Sequence, residues 1–134
     1  MVEFDLLPER IKEIILKMLS PGEGVRMCFM AKGSLSKDFI VITDKRVFIV
    51  DERRMGGWVY ANVKGDIPIA DITEIEMKRG VVDRLLGQSS LSLKLEGYEY
   101  LIDKAPSGEA KKAFELITSI MEAGGQDQHS RGQV

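Results

Sequence analysis

The sequence predicts an α+β domain of mainly antiparallel strands, flanked by one helix on each side along the chain. Between residues 24 and 103, short β-branched or aromatic runs alternate with turn residues at close intervals, which is typical of a meandering antiparallel sheet. The segments before and after this region carry apolar residues at helical spacing. With 134 residues, 44% of them hydrophobic and 30% charged, the chain suits a single domain around one apolar core.

The first helix is predicted from Pro8 to Leu19. Five apolar residues fall at the spacing i, i+3, i+4, i+7 and i+8 and therefore gather on one helix face. They are Ile11, Ile14, Ile15, Met18 and Leu19. Charged residues take the opposite face, so the helix is amphipathic. Pro21 then ends it, because proline cannot continue the hydrogen-bond ladder.

A β-hairpin is the best-defined local feature of the sheet region. After a first strand at 25–31, the runs 39–43 and 46–51 are joined by two residues, and this connection predicts the pairs Ile42 with Val47 and Ile40 with Ile49. Both faces of the hairpin are apolar, although a strand in a two-layer domain needs only one dry face. The second face is therefore covered either by the N-terminal helix or by another copy of the chain.

The remaining elements follow from alternation and turn residues. Strands are expected at 58–63, 72–78, 90–96 and 98–103, with a turn at 64–66. The segment 78–87 mixes basic and apolar residues, which favours a one-turn helix or a long loop that forms the lip of a site. A final helix starts after Ser107 as its N-cap and stops at Gly124. We therefore expect an N-terminal helix over 1–20, a domain over 21–123 and a disordered tail over 124–134.

The residues that carry most enzyme chemistry are scarce in this chain. The one histidine, His129, lies in the expected tail, and the one cysteine, Cys28, sits among apolar neighbours as a small buried hydrophobe. These two residues cannot supply the ligands of a zinc site, and no glycine-rich phosphate loop lies between a strand and a helix. We predict no catalytic activity, no cofactor, no metal and no nucleic-acid partner.

Two groups of residues are candidates for binding. The apolar candidates for a partner or oligomer interface are Ile40, Ile42, Phe48, Val50, Ile11 and Ile15. The basic candidates for anionic lipid headgroups cluster near strand ends and are Lys32, Lys37, Lys45, Arg53 and Arg54. Trp58 is either an exposed anchor or part of the core.

The hairpin sequence also resembles a known family. The run 39–50 is similar to the "lTdkRlifv" hairpin of bacterial pleckstrin-homology-like domains, a group with YokE-like and GRAM-like members. The segment 21–23 resembles their "geGE" lead-in, and 67–75 resembles their "ipyskItsv" strand, so the resemblance covers about residues 20 to 123. It implies a partly open barrel of about seven strands capped by a C-terminal helix. Phe39 stands where phosphoinositide-binding relatives carry an arginine, so the resemblance does not extend to that specific site.

The sequence therefore predicts a binding or scaffolding domain that works by protein–protein contact, including self-association as a homo-oligomer. The alternative is a peripheral module that meets anionic lipid headgroups through the basic residues. The acidic N-terminus, without a secretory signal pattern, leads us to expect a cytoplasmic protein, located at the inner face of the membrane under the alternative.

Overall fold

The computed structural model describes residues 4–32 and 37–132, with side chains as far as residue 124. Short 3₁₀ turns occur at Phe4–Leu6 and Ile69–Asp71. The helices are α1 (Glu9–Met18), α2 (Val81–Leu86) and α3 (Ser107–Gly132). The strands are β1 (Val25–Ala31), β2 (Asp38–Thr43), β3 (Arg46–Met55), β4 (Trp58–Pro68), β5 (Ile72–Lys78), β6 (Gln88–Leu95) and β7 (Tyr98–Pro106).

The strands form two antiparallel sheets that do not close into one. The first sheet has the order β1-β2-β3-β4 and the second β5-β6-β7. The Lys32 N–H donates to the Lys104 carbonyl at 3.2 Å, which joins the end of β1 to the last part of β7. Together with α3, this arrangement is the partly open, helix-capped barrel that the sequence predicts, and the fold class is confirmed.

The main core lies between the two sheets and α3. One face of β2 and β3, including Ile40, Ile42 and Ile49, packs there with Leu91 and Leu93 of β6. The α3 helix contributes buried alanines and an isoleucine, namely Ala110, Ala113 and Ile117. Small residues let a helix approach a sheet closely. The alternating leucines of β6 form the side of that strand that faces the core.

A second core lies on the other side of the β2–β3 hairpin. There Ile11 and Ile15 of α1, both fully buried, pack against Phe39, Phe48 and Val50. The register pairs Ile42 with Val47 and Ile40 with Ile49, as the two-residue connection predicts. Because the side chains alternate along each strand, one hairpin supplies both cores. The chain's own N-terminal helix therefore covers the second apolar face.

Several element boundaries differ from the sequence prediction: β3, β4 and β7 run further than expected, β6 starts earlier, and two predicted breaks are wrong. The expected turn at 64–66 is wrong, since β4 continues to Pro68 through a β-bulge in which Lys64 is the extra residue between the pairs Val50–Val63 and Ile49–Gly65. A Cβ at Gly65 would lie 2.9 Å from the Ile49 Cδ1 atom, so a larger residue there would force the Ile49 side chain to shift. The expected stop of the last helix at Gly124 is also wrong, since α3 continues to Gly132. Glycine weakens a helix interior by about 1 kcal/mol but does not terminate it outright.

The division of the chain into 1–20, 21–123 and a disordered tail stays a prediction. Residues 133–134, at the end of the expected tail, lie outside the described part of the structure. Among the described residues, no helix is long and apolar enough to cross a membrane.

Candidate functional site

The β2–β3 hairpin takes part in an ion pair with the segment that precedes β1. Arg46 donates from Nη2 to Glu23 Oε1 at 2.6 Å and from Nε to Glu23 Oε2 at 3.1 Å. The Thr43 hydroxyl donates to the same Oε2 atom at 2.6 Å. The Glu23 side chain is fully buried, and its hydrogen bonds with Arg46, opposed by burial, lower its pKa from 4.5 to about 2.

The same arginine connects four parts of the chain. Its Nη2 atom also donates to the Met18 carbonyl at 2.5 Å, and its Nη1 atom lies 3.3 Å from Asp66 Oδ2. The guanidinium carbon lies 4.6 Å from the centre of the Phe48 ring, within cation–π range. The end of α1, the lead-in to β1, the β2–β3 turn and β4 therefore meet at Arg46. Four of its five N–H donors are engaged inside the chain, so this residue stabilises the fold.

The apolar interface candidates lie inside the chain. Ile11, Ile15, Phe48 and Val50 are in the second core, whereas Ile40 and Ile42 are in the main core. All six are at most 1% exposed. Their surface is occupied by intramolecular packing, because the hairpin is sandwiched between α1 and the second sheet. A protein partner would have to use other parts of the surface.

The basic candidates are exposed but do not form one group. Lys32 ends β1 and Lys37 precedes β2, which places both at the end of the first sheet where β3 finishes. Arg53 and Arg54 lie near the end of β3 at this same end of the sheet, and Arg53 Nε lies 3.4 Å from Asp51 Oδ2. Lys45 is in the β2–β3 turn at the opposite end. The structure therefore separates Lys45 from the other four.

Helix α2 presents its apolar side to solvent. Val81, Val82, Leu85 and Leu86 are 80%, 65%, 81% and 64% exposed. At 100° per residue they cover an arc of about 140° on the helix. The half-buried Asp83 accepts a hydrogen bond from the Gly80 N–H at 3.1 Å and secures the start of the helix. This is the helical alternative expected for 78–87, but its apolar face points away from the core.

The position of α2 is held by a backbone hydrogen bond on one side and a side-chain hydrogen bond on the other. Gly87 has φ +67°, the left-handed conformation that ends the helix, and its carbonyl accepts the Ser107 N–H at 2.9 Å. Arg79 Nε donates to the Ser89 hydroxyl at 2.9 Å. The helix is thus attached to the start of α3 and to β6 while its valines and leucines remain uncovered. The sequence shows the apolar spacing, but it carries no signal for which way the face points.

A second exposed apolar group lies at the tip of the β3–β4 hairpin. Met55 is 68% exposed and Trp58 is 80% exposed, with the two glycines of the turn between them. Gly56 has φ +62°, as the first central residue of a type II′ turn requires. Trp58 is therefore an exposed residue of the tip and not part of the core. Arg53 and Arg54 adjoin it along β3.

Among the described residues, no group of three histidine, cysteine or carboxylate side chains converges to hold a metal ion. His129 lies in the part of α3 where side chains are not described. Burial raises the pKa of Cys28 to about 11, so this thiol stays protonated at neutral pH. A cleft of about 590 Å³ between the β2–β3 turn and α3 has a mainly apolar lining that includes Ile69, Ile72 and Ile120.

Comparison with known proteins places the chain in a family. The model of the family described as bacterial PH domain matches residues 12–119, and the chain therefore belongs to the bacterial PH domain family. A comparison with curated proteins finds no match.

Solved structures share the fold at low identity. A DUF1696-family protein with a pleckstrin-homology domain from Shewanella loihica PV-4 superposes with a TM-score of 0.63 at 16% identity, covering 90% of this chain and 94% of that one. A pleckstrin homology domain from Shewanella amazonensis SB2B gives 0.55 at 17% identity, with coverage of 83% and 85%. The likeness supports the barrel architecture and leaves the ligand to be argued from this chain's own surface.

Proposed function

We propose that this bacterial PH domain is a non-enzymatic binding module that acts by protein–protein contact, with a second copy of itself docking on α2. The observation that supports the proposal is the outward-facing apolar arc of Val81, Val82, Leu85 and Leu86. Each large apolar side chain moved from water into a contact contributes roughly 1.5 to 3 kcal/mol. A short helix with four such side chains in solvent is thus poised for association.

A second copy fits this patch better than an unrelated partner does because the patch is self-complementary. A two-fold axis beside α2 would bring the same apolar arc from each copy together. Asp83 and Arg84 are adjacent on the helix, so the carboxylate of one copy can meet the guanidinium of the other at the rim. The patch is small compared with stable interfaces of about 1,600 Å², and the association is accordingly weak and reversible.

Sedimentation velocity over a wide concentration range tests this proposal. The wild-type chain should associate more at higher concentration, and the double variant V81S/L85S should stay monomeric. The matched control is L6S/L16S, which removes two leucines that are 74% and 58% exposed on the N-terminal segment. A wild-type chain that is monomeric throughout, or a control that loses association equally, would overturn the role of α2.

A second function is favoured by the tip of the β3–β4 hairpin. Trp58 and Met55 could insert among lipid headgroups while Arg53 and Arg54 stay at the level of the phosphates, with Lys32 and Lys37 at the same end of the sheet. Tryptophan prefers the membrane interface because its ring is amphipathic. Each basic residue near an anionic surface contributes about 1 kcal/mol. We propose contact with anionic lipid as this alternative.

Tryptophan fluorescence tests the lipid alternative directly, since Trp58 is the one tryptophan in the chain. Vesicles of phosphatidylcholine with phosphatidylserine should shift its emission to the blue, and phosphatidylcholine alone should not. R54Q should weaken the effect, whereas K45Q, at the opposite end of the sheet, should leave it unchanged. Equal emission with both kinds of vesicle would exclude this alternative.

A further inference from the structure

The outer edge of β4 carries unpaired backbone groups in a definite register. Met55 pairs with Trp58 across a two-residue turn, so these two residues exchange both backbone hydrogen bonds. The alternation then directs the N–H and C=O groups of Tyr60 and Asn62 towards β3. Those of Val59, Ala61 and Val63 point away from β3, into the space beside the edge.

A groove runs along this edge. It has a volume of about 380 Å³ and lies between α1, with Arg10, Glu13, Ile14 and Lys17, and the β4 residues Val59, Tyr60 and Ala61. Its base is apolar, since Ile14, Ala61 and Val63 pack against the second core. Arg10 is paired with Glu52 at 3.6 Å, but among the described residues Glu13 and Lys17 have no ion-pair partner.

We propose that this edge and groove bind a short extended peptide segment of a partner protein, which adds a strand to the first sheet. The peptide's backbone would pair with Val59, Ala61 and Val63, as in other strand-addition complexes. One apolar side chain would enter the groove between Ile14 and Ala61, and flanking basic and acidic side chains would meet Glu13 and Lys17. This surface is separate from α2 and begins one residue after Trp58 of the hairpin tip.

The length of the available edge favours a short peptide as the occupant over a second folded copy. The turn limits the edge on one side, and the β-bulge at Lys64 limits it on the other. Val59 to Val63 spans about 14 Å, four steps of about 3.4 Å each. One strand paired over this length buries much less than the roughly 1,200 Å² that stable protein–protein interfaces need. A flexible, extended segment of roughly five to seven residues fits this length.

The test uses a blocked seven-residue peptide of alternating valine and threonine with lysine at one end and glutamate at the other, followed by amide NMR spectra. The protein carries V81S/L85S to keep association through α2 out of the measurement. Amide shifts should change at Val59, Ala61 and Val63. A61P removes an outward N–H without touching the β3–β4 ladder and should weaken binding about tenfold.

The matched control is the same peptide with N-methyl groups on the amides that face β4. Because residue 61 of the protein is unchanged in this experiment, the result does not depend on whether A61P folds. The methylated peptide should not bind. Equal binding of the methylated peptide, or of the unmodified peptide to folded A61P, would overturn the proposal. A third result would also overturn the proposal. If the Val59, Ala61 and Val63 amides of the peptide-free protein became more protected from hydrogen exchange as the protein concentration rises, a second copy would occupy the edge.

Discussion

Arg46 and Glu23 form a two-pronged ion pair, with N–O distances of 2.6 and 3.1 Å, across 23 residues of sequence. The arginine belongs to the hairpin motif, and the glutamate belongs to the lead-in segment before β1. Each of these two segments therefore supplies one partner of the pair. Removing one partner leaves a buried charge uncompensated. The free-energy cost of that charge is larger than the net stabilisation that the intact pair provides.

The variant R46M should therefore lower the free energy of unfolding by about 3 to 5 kcal/mol. R46K keeps the charge but loses the planar fork, so its loss should be smaller and still measurable. Urea unfolding followed by circular dichroism measures both. R54K, at an exposed site, is the control and should change stability by less than about 0.5 kcal/mol. A stable R46M would show that Glu23 finds other partners.

The free energy of unfolding should decrease as the pH is lowered from 4.5 to about 2, because Glu23 becomes protonated in this range. Its pKa is lowered from 4.5 to about 2 in the folded chain, so the folded state binds fewer protons than the unfolded state in this range. The stabilisation is complete above pH 4.5 and is lost as the pH falls towards the folded-state pKa. It amounts to about 3 kcal/mol. In E23Q this part of the pH dependence should be missing, and an unchanged slope would contradict the assignment.

The covering of the hairpin by α1 predicts an asymmetry between neighbouring helix positions. Ile15 is fully buried against the hairpin, and Leu16 is 58% exposed. I15A should destabilise the chain by about 2 to 5 kcal/mol, through lost burial and the cavity that remains. L16A should cost less than about 0.5 kcal/mol. Thermal or urea unfolding of the two variants compares them directly. Equal effects would mean that α1 does not hold this position in solution.

The β3–β4 turn predicts a difference between two adjacent glycines. Gly56 has φ +62°, whereas Gly57 does not adopt a positive φ, and a Cβ at either residue would meet no atom within 4 Å. G56A should therefore cost about 1 kcal/mol or more from backbone strain alone. G57A should be neutral or slightly stabilising, because alanine restricts the unfolded chain. If both variants have the same stability in urea, the turn type is different.

Cys28 should be unreactive in the folded protein. It is 2% exposed and burial raises its pKa to about 11, so little thiolate is present at neutral pH. Ellman's reagent should modify it only at the rate at which the chain unfolds, and at once in denaturant. C28A, which keeps a small apolar side chain, should stay folded and react with nothing. Rapid modification of the native chain would show that β1 opens locally.

The local patterns that predicted the fold are those in which neighbouring residues carry the information. The two-residue connection at 44–45 sets the pairing of Ile42 with Val47, and the structure confirms it. The isoleucine spacing of α1 identifies a helix with one apolar face, and the structure confirms that as well. The β-bulge at Lys64 is not predictable from local sequence, because Gly65 in a polar context has the same local signal as a turn.

The sequence by itself determined the first and last helices, the presence of seven strands, the hairpin register and the scarcity of catalytic side chains, since all of these follow from periodicity, turn length and residue type. Only the tertiary structure decided what each apolar face meets. It placed Ile15 in the second core together with Phe48, and it left Leu85 of α2 in solvent. Both residues have the same local apolar spacing. The difference arises from contacts between segments far apart along the chain, which a local pattern cannot encode.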